Sequence, residues 1–169
     1  MKTTLQLTIF SCLVFSACQP EKLSTMVKTE IINIATRFSS SKLDSFTVVT
    51  DDNGIVKIAD EQAVRYIIDP HNIFQDIIDE KAGTDYLVTI DSLHDPYIMP
   101  AWHLILTKGR NEMKTVSVIR SDMRVLSVKN GIITAVIPTH KPASPLYYCS
   151  ECRDTVNYKV INGALTLQE

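Results

Sequence analysis

The chain has 169 residues, 45% of them hydrophobic and 21% charged, with a formal net charge of −2. That length and balance describe one ordinary globular domain, able to bury its apolar surface without a disulfide framework, and exclude a disordered or fibrous chain. The 17 lysines and arginines form no cluster of the kind phosphate recognition depends on, so nucleic acid is not an expected partner.

Met1-Lys2 makes a short positive start, and Thr3 to Phe15 is mostly apolar, with Leu5, Leu7, Ile9, Phe10, Leu13, Val14 and Phe15. The run is shorter than the roughly 20 apolar residues that span a bilayer. Gln19-Pro20-Glu21-Lys22 then ends it with no stop-transfer stretch. Residues 1–17 read as an export signal. The junction Phe15-Ser16-Ala17-Cys18 resembles the lipobox of bacterial lipoproteins: a large apolar residue, two small ones and a cysteine. That resemblance implies that the leader is cut after Ala17, that the Cys18 thiol receives diacylglycerol, and that the new amine is acylated. Phe15 stands where Leu is commonest, a variation similar to that of Bacteroidetes-type lipoproteins. Ordinary secretory cleavage prefers a small residue three positions before the cut, which Phe15 fits poorly. The competing reading is a secreted protein with a plain Cys18 thiol.

Each buried methylene contributes about 0.8 kcal/mol, so two or three acyl chains would anchor the protein to a membrane far more firmly than one. Gln19 after the cysteine implies, by the same resemblance, the outer membrane of the cell envelope, with the periplasmic and surface faces both open. The expected organisation is a leader over 1–17, a lipidated tether over 18–22 and one domain over 23–169.

In the domain, Leu23, Met26, Val27, Ile31, Ile34, Ala35 and Phe38 fall at helical spacing, which predicts an amphipathic helix over 23–39 packed on the domain's own sheet. Three Asn-Gly pairs follow, at 53–54, 130–131 and 162–163, each between β-prone runs. Both residues tolerate the positive φ of a type I′ turn, so each pair predicts a hairpin. Gly109 predicts a fourth, between Trp102–Thr107 and Met113–Ile119. With Tyr86 to Ile90 the count is about nine strands. Asp69-Pro70 reads as the start of a second helix, striped by Ile73, Phe74, Ile77 and Ile78 and ended by Gly83. Over residues 60–68, Ala63, Val64, Ile67 and Ile68 favour a short helix, with a strand at Tyr66-Ile67-Ile68 as the alternative. The expected class is α+β: a mostly antiparallel sheet built from hairpins, an N-terminal helix and one or two further helices.

Two stretches carry candidate chemistry. Cys149-Ser150-Glu151-Cys152 is followed by the strand-like Thr155 to Val160 and not by a helix that would lower a thiol pKa, which weakens a redox-dithiol reading. Zinc wants four ligands, and no second Cys pair is present, though His140 and His103 are candidates to join. A structural disulfide between Cys149 and Cys152 is the plainer reading, contributing about 2 kcal/mol at best.

The second stretch, residues 94–103, displays His94, Tyr97, Met99, Trp102 and His103 on a loop stiffened by Pro96 and Pro100. Such a loop either contacts a partner at low entropic cost or plugs the core with its aromatic rings. Asp51-Asp52-Asn53-Gly54 lacks the alternating ligands of a calcium loop and reads as turn chemistry. No nucleophile elbow, zinc-protease helix or phosphate loop occurs, and no cofactor or metal is expected.

The leading expectation is a membrane-tethered, non-catalytic binding module of the envelope, partnered by another envelope protein through the 94–103 loop. The alternative is an envelope hydrolase whose site gathers His94, His103 or His140 beside carboxylates. A third is structural zinc at Cys149, Cys152 and a histidine.

Overall fold

A computed structural model describes residues 23–79, 83–93, 101–110, 112–139 and 153–168. The helix α1 (Thr25–Ser40) starts where Ser24, in extended conformation, accepts the Val27 N–H on its hydroxyl at 3.4 Å. It ends in a serine run: the Ser39, Ser40 and Ser41 hydroxyls donate to the carbonyls of Ala35, Arg37 and Phe38, while the Ser41, Lys42 and Leu43 N–H groups donate to the end carbonyls of Arg37, Ser39 and Ser40.

Among the described residues, ten strands follow in two antiparallel sheets. The first holds β1 (Thr47–Thr50), β2 (Val56–Ala59), β3 (Val64–Asp76), β4 (Asp85–Ser92), β5 (Ala101–Lys108) and β6 (Met113–Ser121), in chain order across the sheet. The second holds β7 (Arg124–Lys129), β8 (Ile132–Pro138), β9 (Arg153–Ile161) and β10 (Ala164–Gln168), again as sequence neighbours. The described residues form a β-rich α+β fold, as the hairpin signals imply.

Strand alternation divides the core in two. From the first sheet, Ile58, Ile68, Val88, Ile90, Leu104 and Leu106 pack with Ile31 and Ala35 of α1. On its other face Leu87 and Ile105 meet Ile133 and Val160 of the second sheet, with Ile78 between. The order is helix, six-stranded sheet, four-stranded sheet.

Each expected hairpin forms, with one difference in turn chemistry. Asn130 (φ 53°) and Gly131 (φ 73°), like Asn162 (φ 52°) and Gly163 (φ 80°), take the double positive φ of a type I′ turn. At the first pair only Gly54 is left-handed (φ 78°), and its N–H donates to the Asp51 carbonyl at 2.8 Å. Asp51 Oδ1 accepts the N–H groups of Asn53 and Ile55, so this carboxylate builds the turn.

The two further helices are corrected. Residues 64–76 are the long central strand β3, so the strand alternative holds for Tyr66-Ile67-Ile68, and neither the short helix over 60–68 nor the Asp69-Pro70 helix forms. Among the described residues α1 is the only helix, and Gly83 lies in a bend before β4. The helix-like stripe came from a strand covered on both faces: Ile73 joins the core under α1, whereas Phe74 and Ile78 join the core between the sheets. Asp69 does act as a local cap, accepting the His71 N–H at 2.8 Å and the Asn72 side-chain amide at 3.2 Å. It uses that chemistry to loop residues 69–72 out of the ladder between Ile68 and Ile73. Pro70, without an N–H, costs no ladder bond there.

Candidate functional site

Cys18, Cys149, Cys152, His94, Tyr97, Met99 and His140 lie outside the described residues. Trp102 and His103 lie on β5, and being adjacent on a strand they point to opposite faces.

Trp102 faces α1. Its ring meets Phe38 edge-on at 5.5 Å and 70°, and the cations of Lys42 and Arg120 each sit 5.3 Å from its centroid. Lys42 also lies 4.7 Å from the Phe38 ring. The half-buried indole thus closes the gap between helix and sheet with a cation on either hand.

His103 faces the second sheet and is 0% exposed. Its expected place on a contact surface is corrected: β5 carries it under the sheet–sheet layer. Nδ1 lies 3.0 Å from Thr89 Oγ1 and Nε2 lies 3.1 Å from Ser121 Oγ. The ladders bring this about, with Thr89 opposite His103 on β4 and Ser121 two pairs along from Ile119, the residue opposite His103 on β6. A hydroxyl both donates and accepts, so either neutral tautomer is satisfied. Burial drives the imidazole pKa down to about 4, because no anion compensates the lost hydration of the cation. Ser121 Oγ also accepts the Met123 N–H at 3.3 Å. The result is a neutral, fully bonded chain of side chains across three strands.

Thr89 and Ser121 were not singled out from the sequence, since only strand register places them beside His103. The same holds for Asp91, on the same face of β4. Burial pushes its carboxyl above the usual range, the nearby charge of Asp69 adds to the rise, and Arg124 opposes it. Two other carboxylates are turn builders. Asp60 is held down to about 2 by the Ala63 N–H, the Arg65 side chain and the Gln62 N–H. Asp51 also sits below its ordinary value: burial works upward, and the Ile55 N–H, Lys57 and the Asn53 N–H together outweigh it.

Among the described residues, no three His, Cys, Asp or Glu side chains come together as a metal site, and no helix is long and apolar enough to cross a membrane. One strand edge is exposed throughout. β1 is the outermost strand of the first sheet, and all four of its residues are exposed. Phe46, Val48 and Val49 are 50%, 43% and 59% exposed. No known protein family, no curated protein and no solved structure matches this chain.

Proposed function

We propose that the protein is an envelope lipoprotein, anchored to the outer membrane by acyl chains on Cys18, that acts as a non-catalytic binding module for another envelope protein. The lipobox-like Phe15-Ser16-Ala17-Cys18 supports the anchor. In this reading α1 is the first element after the short tether, so the sheets stand close to the bilayer. Cys149 and Cys152 form a local disulfide in the oxidising envelope.

The placement of His103 carries the binding reading. The one described histidine with partners suited to chemistry is closed off from solvent, has both nitrogens engaged and is a weak base. A general base works best with its pKa near the operating pH and within reach of substrate. The apolar groups lie the other way round, with Phe46, Val48 and Val49 on the outside.

The approach of Ser121 Oγ to His103 Nε2 favours a second reading, a hydrolase using a serine–histidine pair. Thr89 stands where a carboxylate would orient the ring and stabilise its charged form, which weakens that reading.

Intact mass of protein extracted from membranes, with and without reductant, tests anchor and disulfide together. The expected result is diacylglycerol plus an acyl chain on residue 18 and a two-hydrogen gain on reduction. Cys18→Ser should release the protein from the envelope fraction; unchanged sedimentation overturns the anchoring. Ser121→Ala should leave envelope function intact, and its loss in a folded, correctly located variant favours the hydrolase.

A further inference from the structure

We propose that β1 is a pairing edge that takes an extended partner segment, apolar in its middle and carrying lysine or arginine at both ends. The proposal rests on the binding-module reading and gives it a surface and a partner chemistry.

The backbone supplies the first argument. The Asp51 N–H donates to the Ile55 carbonyl at 3.1 Å, which fixes the phase of the β1–β2 hairpin. With Val49 opposite Lys57 and Thr47 opposite Ala59, the groups of Thr47 and Val49 turn toward β2. Those of Val48 and Thr50 therefore turn to the open edge, where an incoming strand finds donors and acceptors already in line.

Side chains supply the second. Phe46-Thr47-Val48-Val49-Thr50 contains no charge, and its register runs through all four strand residues without a shift. Two other edges are guarded. β6 carries Lys114 and Arg120 and a register shift, and β7 carries Arg124, Ser127 and Lys129 and a shift of its own. Charges and bulges are the usual means by which edges resist pairing. β10 is uncharged but offers one large exposed apolar residue, Leu167, against three around β1.

Charge chooses the occupant. Asp44 and Glu61 stand at one end of β1, where Ser45 Oγ donates to Glu61, and Asp51 and Asp52 stand at the other. Lys57 pairs with Asp51 at 3.2 Å. A second copy of this chain is disfavoured. In the register centred on Val48, which pairs the most of β1, two-fold antiparallel pairing sets Asp44 opposite Asp52 twice, and like charges directly opposite are destabilising. A strand with cations at both ends meets an acid at each.

The test uses the mature, lipidated chain in nanodiscs and two synthetic nine-residue peptides. Both have a Thr-Val-Thr-Val-Thr centre; one is flanked by two lysines at each end, the other by two glutamates. The lysine peptide should bind about tenfold more tightly and slow amide exchange at Val48 and Thr50. The double variant Asp44→Lys, Asp52→Lys should reverse the preference. Val48→Pro removes an outward N–H and no ladder bond, so it should abolish binding while Trp102 fluorescence stays native. Equal binding of the two peptides overturns the proposal, as does binding that leaves the Val48 and Thr50 exchange unchanged. A dimer of the free protein that Val48→Pro dissociates also overturns it, by showing a second copy on the edge. If Val48→Pro keeps envelope function that Ser121→Ala also keeps, the edge assignment fails and the binding reading stands. If Ser121→Ala alone loses function, the binding reading itself fails.

Discussion

Under α1 the six-stranded sheet presents Ile58, Ile68, Val88, Ile90, Leu104 and Leu106, each fully buried. Under the second sheet, Leu87 and Ile105 share their face with His103, Thr89, Ser117 and Ser121. The helix settles on its face mainly by excluding water, helped at one end by Glu30 accepting the Met113 N–H at 3.1 Å. The second sheet is also held by directed bonds: Ser117 donates to the Gly163 carbonyl, and the Gly131 N–H donates to Asp76 at 3.4 Å. Apolar burial is non-directional and leaves lateral position loose, whereas such bonds fix where one layer sits on another. Gly131 belongs to that lock for a steric reason too, since a Cβ there would lie 3.0 Å from the Ile77 carbonyl oxygen.

The contrast can be broken from either side. Leu104→Ala opens a cavity under α1 and should cost roughly 2–5 kcal/mol, read from urea unfolding followed by the fluorescence of Trp102 on that same face. Acid should act on the other face. His103 has a folded pKa of about 4 against an ordinary 6.5, so between those values the unfolded chain binds more protons. Stability is therefore complete above pH 6.5 and falls as pH drops toward 4, by up to about 3 kcal/mol. His103→Asn should flatten that slope in urea midpoints measured at pH 7, 5.5 and 4.5. Asp91 works in the opposite sense, because its raised carboxyl pKa contributes stability at low pH that is lost as pH rises. Asp91→Asn should stabilise the protein at neutral pH by less than the span of the His103 effect. The smallest change belongs to the indole's cations: Lys42→Gln with Arg120→Gln should cost about 1 kcal/mol and shift Trp102 emission while the acid slope stays as it was.

Hairpins were legible because their information is local. Asn130-Gly131 and Asn162-Gly163 fix turn type within two residues, and Gly109 marks its turn by backbone alone. Asp69-Pro70 misled for the complementary reason. Its capping chemistry is real, but whether a cap starts a helix or kinks a strand depends on β2 and β4 waiting on either side of β3. The His103 cluster lies further from view. Residues 89, 103 and 121 share no spacing rule, and two inter-strand registers must be known before they meet.

Both sheets pair every strand with its neighbour in the chain. During synthesis, a polypeptide emerging N-terminus first can assemble α1 and the first sheet through Ser121 before Arg124 to Gln168 is present. For that interval Leu87, Ile105 and the imidazole between Thr89 and Ser121 stand in open water, sticky and protonatable. Delay in delivering the second sheet would lengthen the time this half-built intermediate can aggregate, so translation pauses once Ser121 has left the ribosome should lower yield more than pauses elsewhere.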